Sequence, residues 1–202
     1  MNEQEREIKF YVQDLPALTK KLQRYGAALV RPRILERNLR LDTNDNSLRR
    51  GGRLLRLRQD DRARVTYKEN ARIEEGVMTR TEIEFEVDDF EVALSLFESL
   101  GYQVVVVYEK YRCEYKLGDV MIMLDELPFG DFVEIEAPTS SLIKDVAQLL
   151  GLNWSRGIGT NYLGLMEIAK IHAGLSFDDL TFDNFQGIAI SPEDLQVEPA
   201  DA

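Results

Sequence analysis

Polar and apolar residues alternate along most of this chain. Near its start, Glu5-Arg6-Glu7-Ile8-Lys9 sets three ionisable side chains at i, i+2 and i+4, so Glu5, Glu7 and Lys9 share one face of a strand. The same period returns further on. Arg56 and Arg58 oppose Leu55 and Leu57, and Arg64, Thr66 and Lys68 oppose Val65 and Tyr67. Lys110, Arg112, Glu114 and Lys116 oppose Tyr111, Cys113, Tyr115 and Leu117, while Glu134 and Glu136 oppose Val133 and Ile135. Asp125 shares its face with Met121 and Met123. Strands are therefore predicted near 35–42, 53–59, 63–70, 103–117, 119–126 and 131–137, joined by turns at Asp60-Asp61, Leu117-Gly118-Asp119 and 127–131.

Between these lie segments of helical period. Asp14 is a candidate N-cap with Pro16 in the first turn, and Leu15, Leu18 and Leu22 form a stripe that stops at Gly26. Asp88 or Asp89 precedes a second stripe, Phe90, Ala93, Leu94, Phe97 and Leu100, which stops at Gly101. Two further helices are expected near 140–150 and 160–173. The resemblance between the first two stripes is part of an internal repeat. Glu7, Ile8, Phe10, Val12, Asp14, Gly26 and Arg37 return, with no gap, as Glu82, Ile83, Phe85, Val87, Asp89, Gly101 and Arg112. Each half reads strand, helix, strand.

About eight mostly antiparallel strands suffice to close a barrel. If the apolar faces meet the helices outside, the charged faces point into the lumen. There the first half supplies mainly cations and the second mainly carboxylates, which lowers the cost of burying either sign. Arginine and lysine suit a polyphosphate, and clustered carboxylates suit a hard metal ion. The fold class expected is α+β: an eight-stranded antiparallel barrel with a polar tunnel, outer helices and a pseudo-twofold repeat.

Composition narrows this further. The chain has 202 residues and a net charge of −11, which argues against a general nucleic-acid or membrane-surface binder. Residues 31–80 nevertheless hold 14 Lys/Arg against 8 Asp/Glu, a local +6 that fits a confined anion site. Residues 173–202 hold 7 acids and no Lys or Arg. The expected organisation is one domain over 1–174 and a loosely held acidic tail over 175–202. A single cysteine, Cys113, excludes an internal disulfide and fits a reducing cytoplasm. One cysteine and one histidine, His172, leave only oxygen ligands for a metal, hence Mg²⁺ or Mn²⁺. No apolar stretch approaches a membrane span, and no secretory leader opens the chain.

An ordered series of short motifs over about residues 3–170 resembles the CYTH superfamily, the triphosphate tunnel metalloenzymes, which includes class IV adenylyl cyclases and thiamine triphosphatases. The series comprises ExExK at Glu5–Lys9, Arg37 before Leu41-Asp42-Thr43, Leu55-Arg56-Leu57-Arg58, Thr66-Tyr67-Lys68, Glu82 with Glu84, Glu109-Lys110-Tyr111-Arg112, Leu124-Asp125, 130–136, and Asn161-Tyr162-Leu163. The resemblance implies metal-dependent processing of triphosphates. By it, Lys9, Arg37, Arg56, Arg58, Lys68, Lys110 and Arg112 bind phosphate. Glu5, Glu7, Asp125, Glu134 and Glu136 hold one or two Mg²⁺ or Mn²⁺ ions, with Glu82 and Glu84 nearby. Glu5, Glu7 and Lys9 form the catalytic row. A basic residue shortly before the final Tyr-Leu is common in the family; here the nearest is Arg156, which departs from that pattern.

The leading expectation is a triphosphatase acting on inorganic, nucleoside or organic triphosphates, with water as nucleophile. The alternative is a class IV adenylyl cyclase making cyclic AMP and pyrophosphate from ATP; a non-catalytic polyphosphate-binding module ranks below both. The partner expected is a small-molecule triphosphate. Barrels of this kind often pair through outer surfaces, so a homodimer stays open.

Overall fold

The alternating segments form eight strands in the structure, a computed structural model that describes residues 3–74 and 76–202. They are β1 (Glu3–Val12), β2 (Ala28–Thr43), β3 (Leu54–Gln59), β4 (Ala63–Glu74), β5 (Val77–Val87), β6 (Tyr102–Leu117), β7 (Val120–Leu127) and β8 (Gly130–Glu136). All neighbours pair antiparallel, and the sheet closes in a ring ordered β1-β5-β4-β3-β2-β6-β7-β8. The helices are α1 (Leu15–Arg24), the short α2 (Ser47–Arg50), α3 (Phe90–Ser99), α4 (Ser140–Leu150) and α5 (Tyr162–His172), with a 3₁₀ turn at Trp154–Arg156. Strands β2 and β4 run well past their predicted ends, and α2 was not anticipated.

The repeat is structural. α1 and α3 are offset by 75 residues, and their caps match: Asp14 accepts from Ala17 N and Asp89 from Val92 N. Shifting every strand of the first half onto its counterpart reverses the ring order, as a twofold axis crossing the tunnel requires. That axis passes through the β1–β5 seam where Glu5 stands opposite Arg80, its own repeat equivalent. On the far side it passes between the pairs Leu35–Tyr111 and Glu36–Lys110 of the β2–β6 seam.

Apolar burial lies mainly outside the ring. Leu15, Leu18 and Leu22 of α1 and Ile143, Val146 and Leu150 of α4 pack on Ile8, Phe10, Ile122 and Ile135. Under α3, Phe90 and Ala93 meet Leu39, Leu41, Leu55, Leu57 and Val65. Leu100, expected in that stripe, is instead exposed, as are Val92 and Leu96.

A third apolar cluster closes one end of the tunnel. There the inward positions turn from charged to aromatic, at Tyr11, Tyr108 and Phe132, and α5 packs Leu165, Met166 and Ala169 against them. The acidic tail joins this plug, which corrects the expectation that 175–202 is loosely held. Leu180, Phe185 and Leu195 are buried in the cluster. Leu180 exchanges backbone hydrogen bonds with Val107 and Glu109 (2.9 and 2.8 Å), and Ala200 N donates to Tyr11 O (2.9 Å). Asp201 accepts from the amides of Gln13 and Asp14. The acids of the tail face outward or cap backbone amides, so its charge does not oppose docking. Among the described residues, no helix is long and apolar enough to cross a membrane.

Candidate functional site

Alternation sends about one residue in two of each strand into the tunnel, with register shifts along β2–β6 and β4–β5. In a ring of eight, the β3–β4 hairpin lies across from the β7–β8 hairpin. The first presents Arg56, Arg58, Arg64 and Lys68; the second presents Asp125, Glu134 and Glu136. A cationic wall thus faces an acidic one. Between them is a cavity of about 540 Å³ whose described lining includes nine Lys or Arg and six Glu side chains. That volume suits a small-molecule ligand.

Most of these charges are held by partners. Lys68 Nζ lies 2.7 Å from Glu5 and 3.3 Å from Glu82. Arg80 donates from Nε to Glu5 and from Nη2 to Glu7, each at 2.7 Å. Lys9 Nζ lies 2.8 Å from Glu7 and 3.2 Å from Glu134. On β3, Arg58 pairs with Glu84 at 2.9 Å and Glu36 at 3.3 Å, and Arg56 donates to Tyr108 Oη (3.1 Å) and Thr66 Oγ1 (3.0 Å). Glu82 and Glu84 therefore stand as counter-charges of the cationic wall.

Asp125 is the most heavily engaged acid. Fully buried, it accepts two bonds from Arg112 (2.7 and 2.6 Å), one from Lys110 (3.0 Å) and one from Tyr162 Oη (2.8 Å). Arg112 also reaches Glu134 at 2.7 Å.

The carboxylates divide by their company. Burial opposes ionisation of Glu5, but Lys68 and Arg80 overcome it and hold its carboxyl at about 2. Burial opposes ionisation of Glu134 as well, and Lys9 and Arg112 hold it well below the usual range. Glu7 moves the other way, raised by burial and by the Glu134 carboxylate beside it. Glu136 is pushed up to about 8 by burial and then by Glu5, Glu134 and Glu7. It makes no hydrogen bond or ion pair within the described residues.

A hard cation fits this donor set chemically. Glu7 and Glu136 are paired across β1–β8, as are Lys9 and Glu134, and Glu5 follows two residues along the same face. After burial, repulsion from neighbouring carboxylates raises both Glu7 and Glu136, and a divalent ion would relieve that repulsion. As they stand, among the described residues no three acidic, histidine or cysteine side chains converge on one metal position, and Lys9, Lys68 and Arg80 bond the carboxylates of Glu5, Glu7 and Glu134.

Of the residues expected at the site, Glu5, Lys9, Arg56, Arg58, Lys68, Lys110, Arg112, Glu82, Glu84, Glu134 and Glu136 line the cavity, with Glu7 and Asp125 buried in its wall. Arg37 does not join them. It shares its parity with Leu39 and Leu41, which pack under α3, and it is exposed on the outer face. Glu36, Asn38 and Arg40 take the inward positions of β2. Arg156 also lies elsewhere, 3.2 Å from Glu198 of the tail. His172, the single histidine, meets Gln196 (2.9 Å). Arg40, Arg64, Arg80, Glu36, Tyr108 and Tyr162 are additions. Arg80 was legible, since it precedes Glu82 and Glu84 by two and four residues.

The family model described as "CYTH domain" matches residues 3–150. A Methanocaldococcus jannaschii protein provisionally named an adenylate cyclase is 29% identical over 138 residues, covering 67% of this chain and 78% of that one. Among solved structures, a provisionally named adenylate cyclase from Vibrio parahaemolyticus superposes with a TM-score of 0.74 at 20% identity, covering 83% of this chain and 99% of its own. A Hippeastrum protein, provisionally an adenylyl cyclase and described as having a dominant triphosphatase activity, gives 0.61 at 18% identity, covering 96% of this chain and all of its own (100%).

Proposed function

Because the chain belongs to the CYTH domain family, we propose that its tunnel binds a triphosphate and hydrolyses it with the help of Mg²⁺ or Mn²⁺. The observation that carries this reading is the pair of facing walls around a closed-ended cavity. The arginines of β3 and β4 neutralise phosphate oxygens, supported by Lys68 and, from β6, Lys110 and Arg112. Lys9 lies in the same row as Glu5 and Glu7 and bonds Glu7 and Glu134, so it stands where phosphate and metal ligands meet. Glu5, Glu7, Glu134 and Glu136 would hold the ion. Such an ion, when bound, polarises phosphoryl oxygens and lowers the pKa of water. Asp125 is spent on Lys110, Arg112 and Tyr162, and so acts by fixing two phosphate-binding cations rather than by ligating metal.

In the reaction, water attacks a phosphorus, the bridging P–O bond breaks, and the departing phosphate keeps the electron pair. The fixed cations stabilise the charge that gathers on the leaving oxygen without reorganising.

Adenylyl cyclisation is the second reading, favoured by the provisional names of the relatives. Against it, the two tyrosines of the cavity lining already have partners, one at its ring and one at its hydroxyl. Tyr162 lies beneath Lys9 and Lys110, at 5.5 and 5.3 Å from its centroid, and Tyr108 is bonded by Arg56. The Tyr162 ring is therefore already covered by ammonium groups rather than open to a nucleobase. Incubation with tripolyphosphate, thiamine triphosphate, ATP and GTP under Mg²⁺ and Mn²⁺ tests the proposal. Orthophosphate release supports hydrolysis; cyclic AMP with pyrophosphate from ATP overturns it in favour of cyclisation.

A further inference from the structure

The unmet hydrogen-bonding capacity of the tunnel is concentrated on one side. Seven buried side-chain polar atoms lack a partner among the described residues: Glu36 Oε2, both amide atoms of Asn38, and Nε of Arg40, Arg56, Arg58 and Arg64. Every one lies on β2, β3 or β4. Buried polar groups are rarely left unpaired without reason, and five of these seven are donors.

Within that region Arg40 is exceptional. Each other cation lining the cavity has a carboxylate within 4.0 Å, as the ion pairs of Lys9, Arg56, Arg58, Arg64, Lys68, Arg80, Lys110 and Arg112 record. The Arg40 side chain has neither an ion pair nor a hydrogen bond among the described residues. Burial disfavours its charge and outweighs the favourable influence of Tyr108 and Asp42, while Arg56 and Arg80 add repulsion. A guanidinium does not escape by losing its proton in a protein, so an anion beside this partly buried group would be favoured.

Tyr108 adds a complementary donor. Its side chain is buried and lines the same cavity. Its oxygen accepts from Arg56 at 3.1 Å, while its own proton has no acceptor among the described residues. Burial would make the phenol a weaker acid, but Arg56 and Lys110, with Arg40, reverse this and hold it below the ordinary tyrosine range. The group is thus a strong hydrogen-bond donor aimed at a cationic space.

We infer that Arg40 and Tyr108 form an additional oxyanion subsite on the β2–β6 side, which seats a phosphoryl group of the triphosphate through one guanidinium and one phenolic donor. Neither residue belongs to the motif series that links the chain to its family. The subsite rests on the triphosphate reading and specifies which end of the tunnel wall takes the group that the other cations, already paired, hold less tightly.

Calorimetric titration with sodium tripolyphosphate in EDTA tests it, using the unaltered chain, Arg40→Gln, Tyr108→Phe and the outward-facing control Arg37→Gln. Loss of one hydrogen bond to a charged group weakens binding roughly ten- to a hundredfold, so that rise in Kd is expected for Arg40→Gln and for Tyr108→Phe but not for the control. A second measurement is independent of affinity. Absorbance of tyrosinate near the ultraviolet edge, taken as unaltered chain minus Tyr108→Phe, should show one phenol ionising below the ordinary range. Tripolyphosphate should shift that ionisation upward. Unchanged Kd in both variants, with binding intact in the unaltered chain, overturns the subsite and leaves the functional reading standing. No binding by the unaltered chain overturns both. A difference titration in the ordinary range, unmoved by tripolyphosphate, removes Tyr108 from the subsite.

Discussion

Replacing Asp125 by Asn should cost the fold about 3–5 kcal/mol. The side chain is fully buried, and its two oxygens accept four donors, two from Arg112 and one each from Lys110 and Tyr162. Asn keeps the shape but removes the charge, and either amide orientation points an N–H at another donor. Oδ2 alone takes three of the four bonds and Oδ1 takes Arg112 Nε, so no flip relieves the clash. What remains for Lys110 is Glu36 at 3.7 Å, and for Arg112 it is Glu134 at 2.7 Å. The penalty is that of two under-compensated buried cations, and salt should screen little of it. Urea unfolding in EDTA reads the loss directly; in a chain of this length it corresponds to a fall in Tm of about 10 °C. Glu126→Gln is the comparison, because its pair with Arg33 is exposed and should be worth under about 1 kcal/mol. A loss below about 1 kcal/mol in Asp125→Asn would refute this reasoning, most pointedly if the variant were stable yet failed to bind Mn²⁺, since Asp125 would then be a ligand after all.

Metal-free protein should be most stable in mild acid. Glu136 ionises near 4.5 when unfolded and near 8 in the fold, so between those values the native state holds more protons and stability falls as pH rises, by on the order of 3 kcal/mol. Glu5, at about 2 in the fold, contributes above 4.5 and is lost as pH falls through 2. Urea melts from pH 3 to 9 in EDTA should show both limbs, and Glu136→Gln should flatten the alkaline one; an unaltered alkaline limb in that variant would contradict the assignment. Truncation after Gly174 removes buried Leu180, Phe185 and Leu195, and should destabilise the chain by about 5 kcal/mol or more; a truncated chain melting with the full one would show the tail dispensable. Gly130 sits at φ +140°, and a Cβ there would lie 2.7 Å from the Tyr11 ring, so Gly130→Ala should cost about 1–3 kcal/mol in the same assay.

The faces of the strands were legible because a period of two is unforgiving: one residue of slip would bury every charge against a helix. That rule found the inward rows of β1, β3, β4, β6, β7 and β8. Parity alone puts Arg37 outside, on the face of Leu39 and Leu41; only its place before Leu41-Asp42-Thr43 points to the site, and the structure follows parity. The same parity that links Glu82 and Glu84 places Arg80 in their row, one step before the motif begins. The tail was beyond reach of composition. Its buried anchors Leu180, Phe185 and Leu195 are too far apart to form a stripe, and much of the remaining attachment runs to or from backbone groups, at Leu180 and Ala200 and through the Asp179 and Asp201 carboxylates, to which sequence pattern is blind. Ion-pair assignments were equally out of reach, since Glu5 meets Lys68 and Arg80 only once the ring has closed.

The twofold repeat also explains why the charge of the tunnel had to diverge between its halves. A residue on such an axis meets its own equivalent, and here positions 5 and 80 stand directly opposite across the β1–β5 seam. Two identical charges in that place would repel at close range in a buried setting. A neutral pair would be tolerable, and an opposite pair is favourable. The chain has the last, Glu5 with Arg80 at 2.7 Å. Once the axial position is unlike, the neighbouring rows are freed from symmetry: Lys9 corresponds to Glu84, and the cationic β3–β4 hairpin corresponds to the acidic β7–β8 hairpin. The same operation that swaps the halves places those hairpins across the tunnel from one another. Divergence in sign therefore produces facing walls of opposite charge from a single folding unit, and a ligand that presents anionic oxygens to one wall and a cation to the other satisfies both at once.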